Sequence, residues 1–182
     1  MNSRAIRISD GTSVTRGEGR TPSFFSKEQP TIINAETIAE LIAYAEEKDT
    51  DVRLCLHQDA AARHHDMIIA QLAMSYFPPH CHEGKGETWN VLHGEMAVFV
   101  FDDEGGLLDA RRLSPDKDFL YRVGDSQYHM VISLTPVAVY HEGKPGPFLG
   151  PGDNRFAPWA PGREETVAAN NYTNSLLSFL QG

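Results

Sequence analysis

Residues 80–94 read HCHEGKGETWNVLHG, and this stretch decides the fold. Eight histidines stand at positions 57, 64, 65, 80, 82, 93, 129 and 141. At that frequency one His-x-His pair is expected by chance about 0.3 times, so His80 and His82 mean little alone. Their surroundings are specific: Glu87 is the fifth residue after His82 and Gly94 follows seven later, which lowers the chance expectation to about 0.002. Along a strand alternate side chains share a face, so His80 and His82 point together while Cys81 points away. The turn EGKG then leads to Glu87 on the next strand, and two imidazoles with one carboxylate form three sides of a metal site. His129, after the turn Val123-Gly124-Asp125, is placed as the fourth ligand from a more distant strand of the same sheet. These ligands suit one divalent transition metal, and Fe, Mn, Ni and Zn all tolerate them.

Outward from this stretch the chain is rich in Val, Ile, Phe, Tyr and Leu, in short segments near 52–57, 67–77, 87–93, 95–101, 107–113, 119–123, 128–134 and 137–142. Gly, Pro and Asp clusters separate them at the spacing of an all-β domain. Asp102 to Gly106, DDEGG, closes a hairpin between 97–101 and 107–112. Eight short strands with mostly local connections predict a jelly roll or small barrel able to enclose one ligand cavity. Upstream, Ile38, Leu41, Ile42 and Ala45 recur at i, i+3, i+4 and i+7 behind a capping Asn34, which predicts an amphipathic helix over 34–48.

The two ends read differently. Residues 1–30 form an irregular N-terminal arm, because DGTSVTRGEGR at 10–20 holds one large apolar residue among Gly, Ser, Thr and charge. Within it residues 1–27 carry five basic and two acidic residues, against eleven and twenty-three in the remainder. Beyond residue 142, GKPGPFLGPGDNRFAPWAPG places prolines and glycines around Phe148, Phe156 and Trp159. Proline cannot donate to a sheet ladder, so this reads as an ordered strap across the barrel surface or its mouth, with its three aromatics covered. The domain proper spans 31–165, and 166–182 is a tail ending in a short helix around 175–180.

Composition bounds the function. The chain has 182 residues, 41% hydrophobic and 23% charged, as expected of one globular domain. A formal charge of −9 argues against a nucleic-acid partner, which needs clustered positive charge. The longest apolar run, Met96 to Phe101, is too short for a bilayer, and no export signal is read at the N-terminus. A cytoplasmic protein with Cys55 and Cys81 as thiols is the expectation.

The motif positions resemble the cupin superfamily. His80-x-His82, Glu87 and Gly94 are similar to its first motif, and Gly124 to His129 followed by Ser133 resembles its second. Met74 and Ser126 stand where that pattern has Gly, and Ser133 where it often has Asn; none of these removes a ligand. RLCLHQD at 53–59, MIIAQLAMSYFPPHCH at 67–82, FVFDDEGG at 99–106, EGKPGPF at 142–148 and FAPWAP at 156–161 look like WbuC-type cupin fold metalloproteins, bacterial proteins found among sugar-polymer genes. The similarity spans roughly residues 30–165. It implies a cupin-type jelly-roll barrel with a bound metal, and assigns no reaction.

Around the metal, Tyr76 and Trp89 share the parity of His80 and Glu87 and would wall a cavity. His57 takes a place at the rim or behind the ligands, and the strap brings Phe148 and Lys144, the one cation near the mouth, as a contact for an anionic substrate. His64 and His65 read as a solvated turn. The expected function is a metalloenzyme acting on a small polar molecule such as a sugar, of isomerase or oxygenase type. The alternative is a non-catalytic binding module, and a third reading makes the metal a structural staple. A homodimer is expected, joined by the basic arm or an outer sheet face.

Overall fold

The computed structural model describes residues 5–180. Two sheets face each other across the expected cupin-type jelly roll. The larger contains β1 (Val14–Arg16), β2 (Ser23–Ser26), β3 (Val52–Cys55), β4 (His64–Leu72), β6 (Glu87–His93), β9 (Leu120–Val123) and β11 (Val137–Pro145), in the order β1-β2-β3-β4-β11-β6-β9. The smaller contains β5 (His80–Cys81), β7 (Met96–Phe101), β8 (Leu107–Leu113), β10 (Tyr128–Ser133) and β12 (Arg155–Phe156), in the order β12-β5-β10-β7-β8. Every pairing is antiparallel except that of β2 with β3.

Period-two alternation sorts the side chains into layers. Between the sheets lie Trp89, Val91, Val98, Val100 and Tyr140. On the outer face of the larger sheet, Leu54, Ile68, Ala70 and Val139 pack against helix α1 (Ala35–Lys48) through Leu41 and Ala45. Asn34 caps that helix by accepting from the Thr37 amide at 3.0 Å, as its sequence predicts. On the outer face of the smaller sheet, Cys81, Phe99, Met130 and Ile132 are covered by helix α2 (Thr166–Leu177) through Leu176. Asp102 closes the β7–β8 hairpin through the Asp102 amide to the Gly106 carbonyl, with Gly105 at φ +91°.

Four expectations are corrected. The segment 1–30 is not an irregular arm in its described part: β1 and β2 belong to the larger sheet, and Ile6, Ile8, Val14 and Phe24 are buried in its outer core. Residues 1–4 and 181–182 lie outside the described residues. The tail forms a helix over Thr166–Leu177, longer than the short one expected near 175–180, where one 3-10 turn at Ser178–Leu180 follows it. The strand expected over 67–77 runs from His64 to Leu72 and turns at Met74, φ +60°, so His64 and His65 open a strand instead of a solvated turn. The strap crosses the hairpin, with Trp159 donating to the Asp103 carbonyl at 3.1 Å and packing on Phe101 and Tyr128, and reaches the cavity through Phe148, but its aromatics are not all covered. Of its aromatics Trp159 is half-buried, while Phe148 and Phe156 stay about half exposed.

Candidate metal centre

Strand pairing brings the histidines together. β5 lies directly beside β10, and His80 pairs with His129 in that register. His82 follows two residues after His80 on the same face. The three residues each offer one ring nitrogen, and these nitrogens lie within 4.8 Å of one another. Glu87 approaches from the facing sheet, at the start of β6, rather than from the next strand of the same sheet. The site therefore sits between the two sheets.

Each imidazole is oriented from behind. The Nδ1 of His80 donates to the Pro78 carbonyl at 3.1 Å, that of His82 to the Asp153 carbonyl at 2.7 Å and that of His129 to the Gln127 carbonyl at 2.9 Å. A carbonyl only accepts, so in all three rings Nδ1 carries a proton and Nε2 is the nitrogen turned inward. Two of these nitrogens face a carboxylate: His82 Nε2 is 2.7 Å from Glu87 Oε1, and His129 Nε2 is 3.2 Å from Glu87 Oε2. His129 Nε2 is buried with no hydrogen-bond partner. Lys144 Nζ, 3.3 Å from His82 Nε2, is one cation among these groups, and a borderline divalent metal is a further one that imidazole and carboxylate donors fit.

Electrostatics agrees with that chemistry. Burial, then the neighbouring His129, holds His80 well below the usual histidine range, so its ring stays neutral. For Glu87 burial pushes the carboxyl up, but Lys144 and the His129 and His82 rings outweigh it and hold it well below the usual carboxylate range. Lys144 Nζ donates to Glu87 Oε1 at 2.7 Å and stands 3.5 Å from Glu142 Oε1. Glu142 in turn accepts from the Trp89 indole at 3.2 Å. Lys144 thus belongs to β11 and reaches the centre itself, instead of waiting at the mouth on the strap.

A cavity of about 810 Å³ opens over these groups and includes every pocket residue that the sequence singles out: Tyr76, Trp89, Lys144, Phe148 and His57. Trp89 is buried with its ring 5.2 Å from that of His129. Tyr76 donates its hydroxyl to the Pro161 carbonyl at 2.8 Å. His57 stacks on His65 at 4.1 Å, and His65 pairs with Lys144 in the β4–β11 register, so His57 lies at the rim two side chains from the centre. Cys81 faces the outer core, away from the cavity, as its parity predicts. Sequence reasoning missed Lys85 and Asp153, a buried ion pair behind His82. No local pattern could reveal it, since the partners are 68 residues apart.

A family model described as a domain of unknown function (DUF6016) matches residues 33–113. No curated protein matches the chain. Among solved structures, the chain is similar to the capsular polysaccharide assembling protein CapF from Staphylococcus aureus, at 16% identity and TM-score 0.47 over 53% of this chain and 27% of that one. It is also similar to L-ribose isomerase from Cellulomonas parahominis, at 18% identity and TM-score 0.49 over 66% and 71% of the two chains. A third likeness is to the cupin domain of Cnp3 from Schizosaccharomyces pombe, at 13% identity and TM-score 0.41 over 50% and 61%. The chain spans about a third of the length of the CapF structures it matches.

Proposed function

We propose that this chain is a cupin metalloenzyme in which His80, His82, His129 and Glu87 hold one divalent transition metal, Fe, Mn, Ni or Zn, and that it acts on a small polar molecule such as a sugar. The observation that carries the reading is the set of three inward Nε2 atoms, each ring fixed by a backbone carbonyl and two of them set against the Glu87 carboxylate, inside a cavity. Such a metal supplies Lewis acidity to an oxygen of the bound molecule. Metals that take more than four donors, such as Fe, Mn and Ni, would keep a position for that oxygen beside these four ligands, whereas four-coordinate Zn would be closed by them.

The chain's own residues supply the rest. Lys144, between Glu87 and Glu142, is held charged: burial pulls it down, but Glu87 and Glu142 outweigh burial and raise it. It orients Glu87 and can donate a hydrogen bond to an oxygen on the substrate. Glu142 is the second carboxylate within reach of the same space, and a carboxylate–ammonium pair beside a metal is a workable proton relay for isomerisation. Trp89 and Tyr76 limit the width of the cavity and exclude water from one side. This pair favours an enzyme over a binding module, because simple sequestration needs no second acid–base couple.

The test is metal analysis of protein purified without added metal, followed by screening of that native-metal form against sugars and sugar derivatives. Stoichiometric metal is expected in the wild type and loss of it in His82→Ala, with the far-ultraviolet circular dichroism nearly unchanged. A full complement of metal in His82→Ala would overturn the ligand assignment.

A further inference from the structure

The cavity extends well beyond the histidines, and three arginines gather at its far end. Arg53 on β3, Arg163 after the strap and Arg20 in the β1–β2 loop all line it. In a chain of formal charge −9, these three arginines stand beside Glu18, Asp49 and Asp51, which line the same cavity. Arg53 Nε is buried with no hydrogen-bond partner. Arg163 lies over the Phe77 ring at 4.4 Å, and that same ring packs edge-on against His80 at 4.7 Å. One aromatic ring therefore separates the arginine wall from the histidine cluster.

Among the described residues the acidic groups at this end make no ion pair with Arg53 or Arg163, although Asp51 and Glu164 act on Arg163 through space. Asp51 is taken up by the Leu72 amide at 2.9 Å and by the Ser75 hydroxyl. Glu164 draws Arg20 to 3.1 Å in a pair exposed on both sides, which is worth little. Glu18 and Asp49 are exposed to solvent. An unpaired buried guanidinium nitrogen is costly unless a ligand supplies the acceptor.

We propose that Arg53, Arg163 and Arg20 form an oxyanion subsite that holds the phosphate of a phosphorylated small molecule whose other end meets the histidine cluster. This assignment rests on the functional reading above and narrows its substrate class. Guanidinium forks match phosphate oxygens in pairs, and three of them suit a dianionic, three-oxygen group better than a single carboxylate, which one arginine satisfies. The volume of about 810 Å³ accommodates a molecule of sugar phosphate size. The N-terminal segment then has a direct role, since its β1–β2 loop closes the subsite with Arg20.

Isothermal titration of the full chain with inorganic phosphate, and separately with acetate, tests the subsite in the as-isolated and chelator-treated protein. Saturable phosphate binding is expected, about ten-fold or more tighter than acetate and within about two-fold of itself after chelation. Arg53→Gln and Arg163→Gln should each weaken phosphate by about ten-fold or more. Arg163, half-exposed outside the strands, gives the reading should Arg53→Gln fail to fold. Absence of saturable phosphate binding, equal binding of acetate, or indifference to the arginine substitutions overturns the proposal. Loss of phosphate on chelation also overturns it, because the anion would then sit on the metal. Phosphate binding that follows the arginines in a protein shown to hold no metal sustains the subsite while the metal reading falls.

Discussion

At the scale of single residues, the centre was legible where chemistry and period coincide. His80, His82 and His129 come together because two-residue alternation and one strand pairing suffice to converge them. The residues on turn positions add a finding of their own. Met74 and Ser126, standing where the cupin pattern has Gly, adopt φ of +60° and +59°, so the left-handed turns persist without the residue that favours them. Holding an L-residue there costs about 1–2 kcal/mol, and Gly returns part of that through its larger unfolded-state entropy. Met74→Gly should therefore raise stability by about 0.5–1 kcal/mol, read from the urea midpoint, since the side chain is 43% exposed and little burial is lost. An unchanged or lower midpoint would show that the Met74 side chain compensates for its backbone. Cys55 gives a pH dependence. Burial pushes its thiol up from 9.0 to about 12, so between those values the unfolded chain releases a proton that the folded chain keeps. Stability should fall as pH rises through that window, by up to about 1.4 kcal/mol per pH unit from this group. Cys55→Ala should show a shallower decline between pH 9 and 10.5 in denaturant titrations; parallel curves would exclude the thiol as the source.

Among the elements, long strands and the amphipathic helix were readable, and short ones were not. VTR and SFFS, three and four residues long, carry too little pattern to announce β1 and β2. They become strands only because β2 finds the free edge of β3, a partner set by tertiary structure rather than local propensity. The strap shows the same limit. Its irregular path was legible from Pro and Gly, but its attachment was not: β12 pairs with β5, placing Phe156 opposite His80, and the Asp153 carbonyl holds the His82 ring. Asp153 is fixed there by Lys85, whose ammonium contacts the Asp153 carboxylate and donates to the Pro147 carbonyl at 2.6 Å. Both side chains are nearly buried, so removing one leaves an uncompensated charge. Lys85→Met should cost about 3 kcal/mol in chemical denaturation. It should also weaken metal binding by about ten-fold, because the carbonyl that sets the His82 tautomer moves with the strap. A stability loss with full metal affinity would mean that the strap stays in place without Lys85.

For the whole molecule, the barrel holds its cavity between the sheets and is clad on both outer faces, by α1 with the N-terminal segment on one side and by α2 with the strap on the other. That cladding changes what a truncation does. An arm of loose polar chain could be removed from a stable barrel, and the charge contrast between residues 1–27 and the rest made it a candidate bridge between two copies. The described part of this segment is instead committed to its own barrel: Ile6, Ile8, Val14 and Phe24 are buried, and Thr37 on α1 donates its hydroxyl to the Ile6 carbonyl at 2.9 Å. Each large apolar side chain returned to water costs about 1.5–3 kcal/mol, so losing four approaches the whole stability of a typical domain. Deletion also bares the edge of β3, whose unpaired backbone groups then invite intermolecular strand pairing. A chain starting at Glu28 should therefore lose its cooperative thermal transition or shift it down steeply, and should aggregate in a concentration-dependent way seen by light scattering. A truncated protein that unfolds cooperatively at the full-length midpoint would show that β1, β2 and their apolar residues are an accessory to the barrel rather than part of its core.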